Sequence, residues 1–306
     1  MSNQTFFVTA ATGPQGGAVT RHLLKKNCTV HAITRNIGSP AAQELQKLGV
    51  KLVTGELDNE ESLKAGMQGC TGLFLNLPSN TMTAQPFAKC ILAIAKSVGI
   101  KHVVYSTALG VNSPEKFAAW SPGGMIEIVM HPKQVIEEIV RTYGFEYWTI
   151  LRPGNFMANF TQPKIPIVYP GLETTGVFTT SFGKETLIPM VDHDDIGKFG
   201  AAALLDPKRF DQHGIEIASE FLTVDQIVAE LSKATNKKIS AHHLSDDEFQ
   251  VEAAKNSPAS WQKFLQDLAQ FVDMEKLKTW GIPLNSFADF LQREKDIVIE
   301  TYAQAP

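Results

Sequence analysis

The chain has 306 residues, 43% of them hydrophobic and 20% charged, with a formal net charge of -4. That length can bury a large core, and so small a charge offers no general attraction to polyanions, so nucleic acid is not the expected partner. The longest apolar runs, such as residues 91–95, are too short to cross a bilayer, and the first residues hold no charged stretch leading into an apolar one, so a soluble intracellular protein, cytoplasmic and without a membrane partner, is expected.

Taken in chain order, the first half alternates short β-branched runs with longer helical patterns, as right-handed βαβ units of a parallel sheet do. Strands are predicted at residues 5–9, 29–34, 50–54, 72–75, 102–105 and 147–151, each brief and apolar, as strands covered on both faces should be. The clearest helix is "QPFAKCILAIAKSVG", where Pro86 suits a first helical position and Gly99 a C-terminal cap. Residues 107–130, rich in Gly, Pro and Ser, form an excursion longer than a simple βα loop, and such loops are functional or mobile.

After Arg152 the rhythm changes. The stretch "RPGNFMANFTQPKIPIVYPGLETTGVF" holds four prolines and three glycines, followed by a helix at 195–205 and a strand at 215–218. Thr223 with Gln226 and Ser245 with Glu248 have capping-box spacing, so the last hundred residues read as mainly helical. The layout is α/β, a Rossmann-type doubly wound sheet with a smaller, mainly helical C-terminal substrate region. Two domains are expected, 1–152 for dinucleotide binding and 153–306 for substrate or partner, the latter also returning a strand and helices to the core. In open α/β sheets ligands lie outside the carboxyl ends of the strands, so the irregular segments 107–130 and 153–185 are expected to wall a pocket there.

The stretch "TAATGPQGG", residues 9–17, sits between the first strand and the first helix, the setting a phosphate-binding turn requires. Gly13 lets backbone approach a pyrophosphate, Gly16 lets the helix close on the strand, Pro14 suits the first helical position, and the helix N-terminus offers unpaired N–H groups and partial positive charge. Ala10 stands where such turns carry their first glycine, and its methyl is tolerated there only at negative φ. The plain alternative is a glycine-rich turn with no ligand. About twenty residues beyond Gly13, Arg35 replaces the acid that would hold the ribose hydroxyls of NAD; a guanidinium there pairs with a 2'-phosphate and favours NADP(H). The plain alternative is a solvated surface arginine.

These stretches, together with "AITRN", "GELDNEESLKAGMQGCTGLF", "KHVVYSTA", "HPKQVIEEIV", "WTILRPGNFMANF" and "VDHDDIGKFGAAAL", resemble the NmrA-like family of atypical short-chain dehydrogenases/reductases, kin to isoflavone-reductase-like enzymes. The resemblance runs from residue 5 to about 205. It implies cofactor contacts from Thr12, Gly13, Pro14, Gln15 and Gly16 at the pyrophosphate, Arg35 at the 2'-phosphate, and Glu56 and Leu57 near the adenine. Around the nicotinamide half it implies Asn76, Leu77, Pro78, Lys133, Gly154, Asn155, Phe156 and Met157. Ala10 departs from the family's usual glycine.

Most short-chain reductases use a tyrosine four residues before a lysine. If Lys133 is that lysine, Val129 holds the tyrosine position, and none of the five tyrosines has a lysine four residues on. Pro132 reads as ending the preceding loop, with His131 as N-cap and Lys133 in the first helical turn, where the helix field disfavours its charge. Lys133 is then a candidate general acid or base, as the isoflavone-reductase-like relatives imply, and His131 a second titrating group. The plain alternatives are a surface pair between Lys133 and Glu137, a ribose hydrogen bond without proton transfer, and a solvent-facing His131.

Ser106 and Thr107, past the fifth strand, are candidate hydrogen-bond donors to a substrate oxygen, or strand-end hydroxyls serving backbone. Trp120, Met125, Phe156, Phe160 and Tyr169 are candidates to line an apolar pocket, or plain core. The run from Asp192 to Asp195 precedes a helix and reads as capping, and Cys28, Cys70 and Cys90 match no zinc or CxxC spacing, so no metal is expected and the thiols should be reduced. Two functions stay open: an NADP(H)-dependent reductase of a small apolar metabolite, or a non-catalytic NADP(H)- or NAD(H)-sensing regulator with a protein partner.

Overall fold

The computed structural model describes residues 4–78 and 81–306, the side chains of residues 81 and 82 excepted. The chain divides into two units, each assembled from separate stretches: Met1–Asn112, Ile128–Pro153 and His193–Glu216 in the first, Ser113–Glu127, Gly154–Asp192 and Ile217–Pro306 in the second. With elements numbered along the whole chain, the first unit opens with β1 (Thr5–Val8), α1 (Pro14–Lys25), β2 (Thr29–Thr34), α2 (Pro40–Lys47), β3 (Lys51–Thr54) and α3 (Glu60–Met67). It continues through β4 (Gly72–Asn76), α4 (Thr81–Ser97), β5 (His102–Ser106), most of α5 (Met125–Thr142) and β6 (Tyr147–Pro153).

Strands β1 to β6 are parallel and lie in the order β3-β2-β1-β4-β5-β6. Their alternation with helices covers both faces, which is why β5 is buried along its whole length and β1 and β4 nearly so. Phe7, Leu63, Met67, Leu73, Leu92, Ile136 and Val140 share one core. The order reverses between β1 and β4. A crevice therefore opens at their carboxyl ends, the position where such sheets bind ligands. There the Thr9 hydroxyl ties the two strands, donating to Asn76 O at 2.8 Å while accepting from Asn76 N at 2.7 Å.

The predicted strands fall where expected, within a residue or two at their ends. Two helix starts do not. Pro86 lies inside α4 and Pro132 inside α5. An interior proline costs about 3 kcal/mol, but Met130, Ile136 and Val140 are all at most 5% exposed, and each buried side chain of that size returns roughly 1.5–3 kcal/mol. The helix therefore runs through its proline, and the irregular excursion ends at Gly124 rather than Met130.

The helix predicted at 195–205 is α8 (His193–Leu205), and the strand predicted at 215–218 is β10 (His213–Ile217), beside β6 at the sheet's edge, with α9 (Pro207–Phe210) between them. The run at the start of α8 is engaged with neighbouring side chains: Asp194 hydrogen-bonds His22 at 2.7 Å and Asp195 pairs with Lys198 at 2.7 Å.

The second unit holds β7 (Asn155–Phe156), α6 (Ile165–Val168), α7 (Leu172–Thr175), β8 (Val177–Thr180), β9 (Ile188–Val191), β11 (Glu220–Leu222), α10 (Val224–Thr235), β12 (Ser240–His243) and five short helices, α11 (Asp246–Ala254), α12 (Pro258–Trp261), α13 (Met274–Lys278), α14 (Phe287–Arg293) and α15 (Lys295–Thr301). Its strands form two small sheets, β11-β9-β7 and β12-β8. An aromatic cluster centres its core: Phe160 stacks on Tyr169 at 4.5 Å and meets Phe178 and Phe287 edge-on at 5.8 and 5.5 Å. Both expected capping boxes form, and Ser286 with Asp289 makes a third at the start of α14. Segment 113–127 is pinned within this unit by Phe117 against Phe271 at 4.7 Å and by Ala118 N donating to Asp267 Oδ2 at 2.7 Å. Among the described residues no helix is long and apolar enough to cross a membrane.

Candidate functional site

Parallel strands deliver the residues that follow them to one edge of the sheet. In the first unit, five of the predicted groups arrive there: the turn 9–13 after β1, Arg35 after β2, Glu56 and Leu57 after β3, Leu77 and Pro78 after β4, and Thr107 after β5.

The turn is built tightly. Gly13 N donates to Ala10 O at 2.9 Å, and Gly17 N donates to Gly13 O at 2.9 Å. A Cβ on Gly16 would stand 2.4 Å from Ala10 O and 2.7 Å from Thr9 O, so only glycine lets α1 begin this close to β1. Ala10 itself has φ of +51°. This overturns the expectation of negative φ: closing the turn forces the left-handed conformation, where a methyl is strained. Gly13 is the N-cap, without a side chain to cap the helix. Among the described residues, the amides of Gln15 and Gly16 have no acceptor. The first turn thus presents free donors and a positive dipole end.

Gln15 is held from the other side. Ser106 Oγ donates to its Oε1 at 2.7 Å, joining the end of β5 to the start of α1. This occupies the Ser106 proton that was a candidate for substrate. Thr107 is buried, with the Tyr105 hydroxyl beside its side chain. Arg35 is exposed, without an ion pair among them. Glu56 is exposed, and Leu57 half-buried.

Lys133 lies in the middle of α5 rather than in its first turn, so the helix field is not what acts on it. Burial lowers the pKa of its ammonium below the ordinary lysine value. Among the described residues it has neither hydrogen bond nor ion pair. Glu137, its expected i+4 partner, is instead 1% exposed and committed to Arg152 and Arg141. Val129, one turn before Lys133, brings no proton to that face. Burial also pushes the Tyr105 hydroxyl far above its ordinary value.

His131 is inside the same helix, exposed, and beside Asn112, Gln134 and Glu138 in an open groove. It is not an N-cap at a loop junction. Two residues apart on a helix, His131 and Lys133 face different ways.

In the second unit, Asn155 and the Tyr169 hydroxyl hydrogen-bond each other at 3.1 Å, and burial raises the Tyr169 pKa. Met157 and Phe160 are fully buried core residues, which removes Phe160 from the candidate lining. Tyr169 lines a cavity with Phe178 and Gln262. Phe156, Gly154, Trp120 and Met125 are half-buried.

Sequence reasoning missed the Thr9 clamp and the cluster in which the buried pair Glu137 and Arg152 is joined by the half-buried Arg141 and Glu216. The one available signal for the second was an arginine ending an otherwise apolar strand, a residue that needs a carboxylate when buried.

The comparisons with known proteins agree with this architecture. The NmrA-like family matches residues 2–283. The NmrA-like family domain-containing oxidoreductase hkm9 of Aspergillus hancockii is 30% identical over 246 residues, 74% of this chain and 71% of that one. Among solved structures, NmrA, a negative transcriptional regulator in complex with NADP, superposes with a TM-score of 0.69 at 19% identity, covering 99% of this chain and 96% of its own. The NADPH-dependent quinone oxidoreductase QOR2 of Escherichia coli, complexed with NADPH, gives 0.68 at 21% identity, covering 94% and 99%. With the glycine turn at a topological switch point and the family match over nearly the whole chain, this protein belongs to the NmrA-like family.

Proposed function

We propose that the protein binds NADP(H) at the carboxyl edge of its first unit and reduces a small, fairly apolar metabolite carrying an activated double bond, ether or imine. The observation that carries the binding is the first turn of α1: amides of Gln15 and Gly16 without acceptors among the described residues, at a helix N-terminus, outside the switch point of the sheet. The residues fit a diphosphate. A Cβ on Gly13 would meet only Ala10 O, at 3.4 Å, so the fold itself does not demand glycine there, whereas a ligand lying against that backbone does. Arg35, exposed and without an ion pair among the described residues, is the group to hold a 2'-phosphate. Glu56, Leu57, Asn76, Leu77 and Pro78 flank that edge. The cofactors named with the two solved neighbours, NADP and NADPH, support the same choice.

When bound, a reduced nicotinamide supplies a hydride to an electrophilic carbon. The adjacent atom of the substrate then needs a proton, and Lys133 is the residue to donate it. Its ammonium has no counter-ion among the described residues and is made more acidic by burial, which suits proton release better than a surface lysine would. With Lys133 as the relay lysine, Val129 stands in the tyrosine position, so this reading does without the tyrosine relay.

The test mixes purified protein with NADPH and a panel of enones, quinones and imines and follows absorbance of the reduced nicotinamide. Steady substrate-dependent loss, abolished in Lys133→Ala, is expected. The absence of any loss across the panel, with oxidised and reduced cofactor changing affinity for a protein partner differently, overturns the reductase and establishes the second reading, a cofactor-sensing regulator. Val129 in the tyrosine position favours that second reading, as does the description of NmrA as a transcriptional regulator. A cytoplasmic location is proposed with either.

A further inference from the structure

Glu137 follows Lys133 by one helical turn, a spacing at which carboxylate and ammonium ordinarily pair. Here the carboxylate is taken. Its Oε1 accepts from Arg152 Nε at 3.0 Å, and its Oε2 accepts from Arg152 Nη2 at 2.7 Å and from Arg141 Nη2 at 2.6 Å. Arg152 comes from β6, and its remaining nitrogen donates to Glu216 Oε1 on β10 at 2.7 Å. A Cβ on Gly214 would stand 2.3 Å from Arg152 Nη1, so glycine at that place on β10 makes room for the guanidinium. The buried charges of Glu137 and Arg152 offset each other, with the half-buried Arg141 and Glu216 completing a neutral set of two arginines and two glutamates, and the fork of Arg152 matches Glu137 with two parallel hydrogen bonds.

Among the described residues, none of the other charged and titratable groups on these elements hydrogen-bonds or ion-pairs with Lys133: α5 carries the exposed His131 and Glu138, β5 carries Tyr105, β6 Arg152 and β10 Glu216, and on α4 Lys89 and Lys96 are exposed. Glu138 reaches toward Arg141 at 3.6 Å, and Glu216 is held by Arg152.

We propose that Arg152, assisted by Arg141, is a positioning residue for Lys133: by holding both oxygens of Glu137 it denies the lysine the carboxylate one turn along its own helix. The same grip ties α5 to β6 and β10, so Lys133 is presented at a defined rotation of its helix. The lowered pKa that burial gives Lys133 is then preserved rather than cancelled by a carboxylate neighbour. The consequence for proton donation rests on the reductase reading above.

The experiment titrates Lys133 directly. Apoprotein is reductively methylated with 13C-formaldehyde, the Lys133 resonance is assigned by its loss in Lys133→Arg, and its shift is followed against pH. Arg152→Met should raise the apparent pKa of Lys133 by about one unit or more, the effect of an opposite charge arriving within a few ångströms. The double variant Arg152→Met with Glu137→Gln should return it to the wild-type value, which a merely structural disturbance would not do. Arg152→Lys, which keeps the cation but loses the fork, should give a smaller rise, and adding Glu137→Gln should abolish that rise and bring the value to or below wild type, since the cation at 152 is then unpaired; this pair decides the matter if Arg152→Met does not fold. An unchanged titration in Arg152→Lys and Arg152→Met, or a rise that persists in the double variants, overturns the proposal. Because no substrate enters the titration, a correct shift without NADPH turnover would sink the reductase reading alone, and turnover lost in Lys133→Ala without the shift would sink this one alone.

Discussion

Ala10 sits in the left-handed region at φ of +51°, and the replacement Ala10→Gly measures what that costs. An alanine there loses roughly 1–2 kcal/mol to the clash of its Cβ with the following carbonyl. Glycine removes the clash but gains freedom in the unfolded chain, an offset of about 0.4–1 kcal/mol. The net expectation is stabilisation by roughly 0.5–1 kcal/mol, or about 1–2 °C in the melting temperature of a chain this long. Thermal unfolding of apoprotein by circular dichroism, with Ala10→Val beside it, is the assay. A β-branched side chain suffers more at positive φ, so Ala10→Val should fall below wild type by more than Ala10→Gly rises. Should Ala10→Gly destabilise while Ala10→Val is tolerated, the turn does not hold residue 10 in the left-handed region, and the geometry assigned to the first turn of α1 is wrong.

Arg35→Ala should weaken NADPH by about ten-fold or more while leaving NADH nearly unchanged, since a charge-assisted hydrogen bond is worth roughly 1.5–3 kcal/mol; equal losses for the two cofactors in calorimetry would remove Arg35 from the 2'-phosphate. Phe160→Ala should cost about 3–5 kcal/mol in urea unfolding, because Phe160 is fully buried among Tyr169, Phe178 and Phe287; a stability loss below about 1 kcal/mol would return it to the pocket wall. The Lys133 pKa is lowered on folding, so between the folded and unfolded values the unfolded chain binds the extra proton and stability from this group grows as pH rises. Lys133→Met should therefore melt higher than wild type at neutral pH, with the gap narrowing through the alkaline range; a gap independent of pH would contradict the desolvated ammonium.

The order of strands and helices in the first unit was legible because hydrophobic period and turn residues carry it locally, and the capping boxes at Thr223 and Ser245 were legible for the same reason. The third box escaped because Asp289 stands where Glu or Gln is expected. Pro86 and Pro132 suggest helix starts that the structure does not have, since a proline's local cost is visible in sequence while the burial of Met130, Ile136 and Val140 that outweighs it is not. The sign of φ at Ala10 depends on the closure of Gly13 onto Ala10 O, a contact between backbone groups that no side chain announces. The sequence points to Lys133 through a helix-terminus field that the continuous α5 abolishes; its perturbation comes from burial, and Glu137, one turn along, is claimed by Arg152, fifteen positions away in sequence, as well as by Arg141 of its own helix.

The central claim is that the free amides at the start of α1 grip a dinucleotide diphosphate. Backbone 15N–1H spectra of labelled apoprotein titrated with NADPH test it directly. The Gln15 and Gly16 amide protons should move downfield in a saturable manner as they gain an acceptor, with the Thr12 and Gly13 resonances shifting alongside. If those signals stay in place at saturating NADPH, or NADP+ and NADPH both leave the whole spectrum unchanged, the first turn of α1 is only a strand-to-helix connection.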